Sequence, residues 1–161
     1  MKNLTLRYGI YSAFIVLAFL IITQLLFGTS LPYRTMEVIG YLTIIISLSL
    51  VFFGIKAYRD EKGDGQITFG KAFRVGLGIT ALPAAAFGLY TLWMFAFRSK
   101  EFMEYAMTSM NEAERQQMQE HMVLYGNPFF QGLVMFLTVF VIGLVISLLS
   151  ALLLKRQNVS A

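Results

Sequence analysis

The sequence LVMFLTVFVIGLVISLLSALLL, residues 133–154, places apolar side chains on every face of an α-helix and is interrupted only by Ser, Thr and Gly. A helix of a soluble bundle keeps a polar stripe towards water, which this stretch lacks. At 1.5 Å per residue, about 20 such residues cross the hydrocarbon core of a bilayer. The stretch therefore predicts a transmembrane helix.

Four stretches of the chain, of 26, 18, 23 and 34 residues, contain no Asp, Glu, Lys or Arg: Tyr8–Tyr33, Val38–Ile55, Val75–Phe97 and His121–Leu154. Such segments suit hydrocarbon, because a charged side chain at mid-bilayer costs roughly 2.5–3.5 kcal/mol. The composition agrees: 57% of the residues are hydrophobic and 14% are charged, whereas soluble domains have about 25% charged residues. We therefore expect an all-α integral membrane four-helix bundle.

The predicted spans are residues 7–27, 36–56, 70–97 and 128–155 of a single membrane domain, 1–161. Residues 98–127 are predicted to form an additional extracytoplasmic helical segment between spans three and four. Thr68 is a predicted N-cap of span three, and Asn111 followed by Glu114 predicts the start of a helix that reaches Leu124. The first apolar run is longer than the h-region of a signal peptide, so we expect it to remain as a span.

Lys and Arg are unevenly divided between the two sides of the predicted bundle. The side that holds both termini and the segment between spans two and three carries nine of them, and the other side carries four. Basic residues accumulate on the cytoplasmic side of membrane proteins. Both termini are therefore expected in the cytoplasm, and the net charge of +4 is assigned to orientation and not to a nucleic-acid partner.

Small residues recur at helical spacing within the predicted spans. In hydrocarbon there is no hydrophobic drive between helices, so close backbone approach over small side chains supplies much of their association. The candidate helix-packing positions in spans two, three and four are Gly40, Ser47, Gly54, Gly78, Pro83, Gly143, Ser147 and Ala151.

Pro83 lies near the middle of span three and lacks the backbone N–H that the helix needs for one of its hydrogen bonds. It therefore predicts a kink. The kink is either a hinge or cavity with a functional role or a static bend that improves packing, and the sequence leaves both readings open.

The predicted spans hold few groups capable of chemistry. The polar groups of their uncharged stretches include Ser, Thr and Gln24, and Glu37 and Lys56 lie at the rims. A proton relay needs an acid or a histidine within the spans, and a serine nucleophile needs a base, whereas the one histidine, His121, lies in the outer segment. The lack of cysteine excludes thiol catalysis and thiolate metal sites. We expect no catalytic residue, no resident metal and no cofactor.

The outer segment is rich in methionine. Met103, Met107 and Met110 lie at helical spacing, and a second group consists of Met118, His121 and Met122. Thioether and imidazole groups on this surface suit Cu(I). The alternative, which we favour, is an amphipathic helix that lies on the membrane surface or over the outer ends of the spans.

The segment that leads into span three combines charged and aromatic side chains, which make it a candidate interaction or headgroup-binding loop: Arg59, Asp60, Phe69, Lys71, Phe73 and Arg74. Its phenylalanines suit the membrane interface and its basic groups suit lipid phosphates. A protein partner that binds this loop is the alternative.

Several motifs together resemble one family of bacterial proteins. They are YRD at 58–60, GQITFGKAFRVG at 65–76, NP at 127–128 and GLVISLLSALLLKR at 143–156. In their order and spacing they resemble the family catalogued as domain of unknown function 4199, which comprises small four-span integral membrane proteins. The resemblance covers nearly the whole chain and implies the four-span architecture and a bacterial inner membrane. It implies no activity, cofactor or catalytic residue.

Two functions are compatible with these features. The first is a non-catalytic membrane protein that acts by association, with the lipid bilayer around it and a membrane-protein partner or a second copy beside it. The alternative is a small-solute transporter or channel formed by an oligomer. A water-filled cavity lined by Thr80, Thr91 or Gln24 would favour the alternative, whereas a bundle filled by side chains would weaken it.

Overall fold

The computed structural model describes residues 2–27, 30–108, 110–120 and 126–156. It contains five α-helices, which are α1 Lys2–Leu26, α2 Tyr33–Lys62, α3 Phe69–Met107, α4 Glu112–Glu120 and α5 Pro128–Leu154. Within these ranges the only extended pairing is an isolated antiparallel bridge between Ile67 and Arg156. The all-α prediction is confirmed.

Four of the helices, α1, α2, α3 and α5, are each long and apolar enough to cross a membrane. Their large apolar side chains also point outwards: Phe14, Leu25, Phe97 and Leu153 are 71%, 79%, 76% and 75% exposed. Exposure of these apolar surfaces to water would cost free energy, whereas their contact with hydrocarbon would not. The structure is therefore a membrane helical bundle, as predicted, although α2 and α3 extend several residues beyond the predicted spans.

Short polar motifs define where several helices begin. Thr68 accepts a hydrogen bond from the backbone N–H of Lys71 at 3.4 Å and is the N-cap of α3, as predicted. Asn111 and Glu114 form a reciprocal capping box at the start of α4, with two backbone-to-side-chain bonds of 2.9 Å. This cap is also confirmed. The predicted continuation of the helix to Leu124 lies outside the described residues.

The other three apolar helices, α1, α2 and α5, all contact α3. Its most extensive partner is α5. The start of α1, the α2–α3 loop and the end of α5 meet at one end of the bundle, where Ile67 and Arg156 exchange backbone hydrogen bonds of 2.9 and 3.0 Å. We name this the termini end, and we name the opposite end, where α2 and α5 begin, the cavity end.

Glycines bring the backbones of α3 and α5 together along their length. A Cβ atom on Gly88 would lie 2.8 Å from the carbonyl oxygen of Gly132, and a Cβ on Gly132 would lie 2.9 Å from that of Gly88. Nearer the termini end, Gly76 of α3 faces Ser147 of α5 in the same way, with a Cβ 2.7 Å from the Ser147 hydroxyl. We call these contacts the α3–α5 seam.

The break in α3 lies at Arg98, and the bend expected at Pro83 stays a prediction. Pro83 is buried within the helix, and the one residue of α3 with non-helical dihedrals is Arg98, at φ −131° and ψ 21°. The break falls where the apolar stretch ends, and beyond it the helix packs on the start of α2. There Tyr33 makes edge-to-face contacts with Phe102 and Tyr105 at ring distances of 5.9 and 5.8 Å.

Gly88→Ala should destabilise the protein because its new methyl group would meet a backbone oxygen and the Phe136 Cβ, neither of which can move independently. We expect the free energy of unfolding, from titration with sodium dodecyl sulfate, to fall by about 1–3 kcal/mol. Gly40→Ala is the matched control, since its Cβ meets nothing within 4 Å and alanine favours helix. If the two variants are equally stable, α3 and α5 do not make the close backbone contact at Gly88 that the α3–α5 seam requires.

Candidate functional site

A cavity of about 570 Å³ opens between α1, α2, α3 and α5 at the cavity end. All four apolar helices contribute to its wall, for example through Gln24, Gly40, Thr91 and Thr138. Thr91 and Gln24 were two of the three residues whose presence in a cavity was predicted to favour a transporter. The third, Thr80, lies nearer the termini end, where it is fully buried against α5.

The wall of the cavity is mainly aromatic and apolar, with a limited set of polar groups. Aromatic side chains come chiefly from α2 and α3 and include Tyr33, Tyr41, Tyr90, Trp93, Phe95 and Phe102. Uncharged polar groups come from α1, α3 and α5, and are Thr23, Gln24, Thr91, Gln131 and Thr138. This combination of apolar surface with a few polar groups is typical of small-molecule sites.

Three charged side chains line the cavity, namely Glu37, Arg98 and Glu101. Arg98 donates to a single carboxylate oxygen of Glu101 through Nε at 2.8 Å and Nη2 at 2.6 Å. The charges of Arg98 and Glu101 therefore compensate each other. None of the ion pairs in the described residues includes Glu37. The Glu37 carboxylate is therefore the one charged group of the cavity wall without an ion-pair partner among the described residues.

Gly40 leaves space in the cavity wall, and its role as a helix-packing position stays a prediction. It lies on α2 one turn after Glu37, and a Cβ atom there would meet nothing within 4 Å. The reason is that α2 faces the cavity at this level, whereas towards the termini end the same helix face packs on α1 and α3. Gly54, on that packed face, would place a Cβ 3.0 Å from the Tyr8 ring.

Buried hydroxyl groups close the bundle between the cavity and the termini end. Ser12 of α1 and Ser47 of α2 each donate to the other's backbone carbonyl, at 2.8 and 2.7 Å, and their hydroxyl oxygens lie 2.7 Å apart. Thr80 of α3 and Ser147 of α5 approach at 3.4 Å. Around them Leu48 and other core side chains are fully buried. This half of the bundle is filled.

The remaining predicted packing positions lie against neighbouring helices. A Cβ on Gly143 would lie 2.7 Å from the Thr80 hydroxyl, and a Cβ on Gly78 would lie 2.7 Å from the Thr5 methyl group. Ala151 and Pro83 are buried. The structure thus places Gly143, Gly78 and Ala151 inside the bundle.

The predicted interaction loop lies at the termini end, on the far side of the bundle from the cavity. Arg59 donates to the Asp60 carboxylate at 2.7 Å, and the Phe69 and Phe73 rings stack at 6.0 Å. The Lys71 ammonium lies 5.6 Å above the Tyr58 ring.

The Arg74 side chain of this loop is exposed. The six predicted residues therefore share one end of the molecule, and no enclosed site forms among their described side chains.

The described methionines of the outer segment differ in burial. Met103 is buried and lines the cavity, whereas Met107 and Met110 are half-buried. The second group, Met118, His121 and Met122, lies outside the side chains that the structure describes.

Sequence reasoning missed the contribution of Glu37, Arg98 and Glu101 to a shared cavity. Glu37 was assigned to the membrane rim and Arg98 to the outer segment, because the pattern of a single helix does not show which helix ends converge. One signal was available: Tyr33, Glu37 and Tyr41 recur every four residues and therefore share a face of α2.

The fold and the cavity define the class of this protein, which is a multi-pass membrane helical bundle. The comparison with protein families matches residues 7–156 to the family described as protein of unknown function, DUF4199. The chain belongs to this family, as the sequence motifs predicted. No curated protein and no solved structure matches the chain.

Ser47→Ala should destabilise the bundle by about 0.6–1.7 kcal/mol, the measured range for hydrogen bonds between membrane helices. The variant loses the Ser47 donor to the Ser12 carbonyl. Ser49→Ala is the matched control, because Ser49 is exposed and donates only to Ile46 of its own helix. The free energy of unfolding of both variants is measured by titration with sodium dodecyl sulfate. If Ser47→Ala lowers it no more than Ser49→Ala does, the Ser12–Ser47 hydrogen bonds do not stabilise the contact between α1 and α2.

Proposed function

We propose that the protein is a non-catalytic small-solute transporter of a bacterial inner membrane, with both termini in the cytoplasm and the cavity open towards the outer side. The observation that carries the proposal is the cavity among the four apolar helices. Its volume of about 570 Å³ lies within the usual range for small-molecule sites, roughly 300–1,000 Å³.

The position of the cavity supports a transporter over a channel. A channel needs a continuous path, whereas here the half of the bundle towards the termini end is filled by Leu48, Val51, Ile79 and their neighbours, each at most 2% exposed. A site near one end of a bundle whose other half is filled suits one state of an alternating-access cycle. The four helices of one chain supply its lining, so an oligomer is not needed to build the site.

The helix best suited to move in such a cycle is α1. Only 17% of its apolar window is buried, compared with 50% for α3. Two of its contacts towards the termini end are specific, namely the Ser12–Ser47 hydrogen bonds and the close approach of Gly9 to the Ile79 carbonyl. Displacement of α1 would open the filled half while leaving the α3–α5 seam intact.

Association with another membrane protein or a second copy is the other candidate function. The loop with exposed Lys71 and Arg74 beside the stacked Phe69 and Phe73 favours it. The small-residue faces that first suggested association are, however, largely packed against other helices of the same chain, as Gly143 and Ser147 show. Co-purification from native membranes in mild detergent tests this candidate, and recovery of the isolated chain in several detergents would count against it.

Cysteine accessibility tests the proposed transporter directly, because the natural chain contains no cysteine. Thr138→Cys places a thiol in the cavity wall, and Thr80→Cys places one in the filled half. In intact cells or right-side-out vesicles, we expect a membrane-impermeant thiosulfonate to label Thr138→Cys and to leave Thr80→Cys unmodified.

The two variants carry the same substitution, so their difference reports position alone. Labelling with a membrane-permeant maleimide after denaturation confirms that both thiols are present. If Thr138→Cys resists the impermeant reagent as completely as Thr80→Cys, the cavity is closed to water and the proposal fails. If Thr138→Cys reacts only from the cytoplasmic side, the proposed orientation is wrong.

A further inference from the structure

The cavity wall holds a carboxylate between two phenol rings on one helix face. Tyr33, Glu37 and Tyr41 are separated by four residues each along α2, so their side chains follow one another on the same side of the helix. All three line the cavity. Gly40, three residues after Glu37, is on the same side, and a Cβ atom added to it would have no neighbouring atom within 4 Å, which leaves room beside the carboxylate.

The charge of the lining favours a positive occupant. Arg98 is held by two hydrogen bonds to Glu101, so its charge is already compensated. Glu37 takes part in none of the ion pairs found in the described part of the chain. The three charged groups of the lining therefore sum to one negative charge, and the Glu37 side chain that carries it is exposed, so an incoming cation can reach it.

The aromatic part of the wall reinforces this preference. The faces of Tyr and Trp rings attract cations, most strongly when water is displaced from the site. Tyr33, Tyr41, Tyr90 and Trp93 all line the cavity, so an organic cation there can contact rings while its charge lies near Glu37. A strongly hydrated metal ion would lose its water shell against apolar walls, whereas a lipophilic cation would not.

We propose that the cavity binds a lipophilic organic monocation, of the quaternary ammonium or phosphonium type, with Glu37 as its counter-charge. This inference rests on the proposed function, because it names the class of solute that the transporter carries. The cation enters at the cavity end with its apolar groups against the aromatic wall, and no covalent step is involved.

Two probes of the same shape and opposite charge test the proposal. The full-length protein is placed in lipid nanodiscs, and binding of tetraphenylphosphonium and of tetraphenylborate is measured by equilibrium dialysis, with empty nanodiscs subtracted. We expect a saturable component for the phosphonium ion and none for the borate ion. Glu37→Gln should weaken phosphonium binding by about tenfold or more, because the attraction between the cation and the carboxylate is lost.

Glu104→Gln is the matched control, because it removes a negative charge from the same part of α3 as Glu101 but from a residue outside the cavity lining. It should leave phosphonium binding unchanged. Gly40→Leu is a second variant, which places an apolar side chain in the open space beside Glu37, where a Cβ atom meets nothing within 4 Å. It should abolish the saturable component. The unfolding midpoints of all three variants should match that of the natural protein.

The outcomes separate this inference from the proposed function. Saturable binding of borate instead of phosphonium, or equal losses from Glu37→Gln and Glu104→Gln, would overturn the cation assignment while an accessible Thr138→Cys still supported a transporter. If neither ion binds saturably while Thr138→Cys is labelled, the cation assignment fails and the proposed transporter function stands. If both probes fail and Thr138→Cys is protected, the proposed function fails as well.

Discussion

The close approach of the α3 and α5 backbones is the constraint on which the rest of the structure depends. Surrounded by lipid, these helices gain little from hiding apolar surface, so packing contacts and hydrogen bonds must hold them together. Gly88 and Gly132 allow each backbone to touch the other's carbonyl oxygen, and Gly76 and Gly143 receive Ser147 and Thr80 in the same manner. This seam fixes the pair against which α1 and α2 pack.

Packing is tight towards the termini end and looser towards the cavity end, and this difference produces the candidate site. Ser12 and Ser47 draw α1 and α2 together below the cavity through reciprocal hydrogen bonds. Above that level α2 presents Gly40 to open space, and the helices are separated by large aromatic side chains. The same bundle therefore combines a closed half with a half that can receive a solute, without any further domain.

Much of this architecture could be predicted from the sequence, because its determinants are local. Uncharged stretches identified the four membrane helices, and Thr68 and the Asn111–Glu114 pair identified helix starts from the side chains that cap them. The cavity could not be predicted in this way. Gly40 and Gly54 belong to one repeat in the sequence, yet one faces open space and the other faces Tyr8, because contact depends on where neighbouring helices lie. The break at Arg98 similarly reflects the packing of Tyr33 and its ring partners beyond the span.

Disulfide formation between Thr80→Cys and Ser147→Cys in a single chain tests the central claim most directly. The two hydroxyl oxygens lie 3.4 Å apart across the seam, and the natural chain offers no competing thiol. In native membranes treated with a membrane-permeant oxidant, the account predicts rapid and nearly complete intramolecular cross-linking, seen as a mobility shift reversed by reduction. If the two thiols remain reactive towards maleimide after oxidation, or cross-link only between chains, α3 and α5 are not joined along this seam.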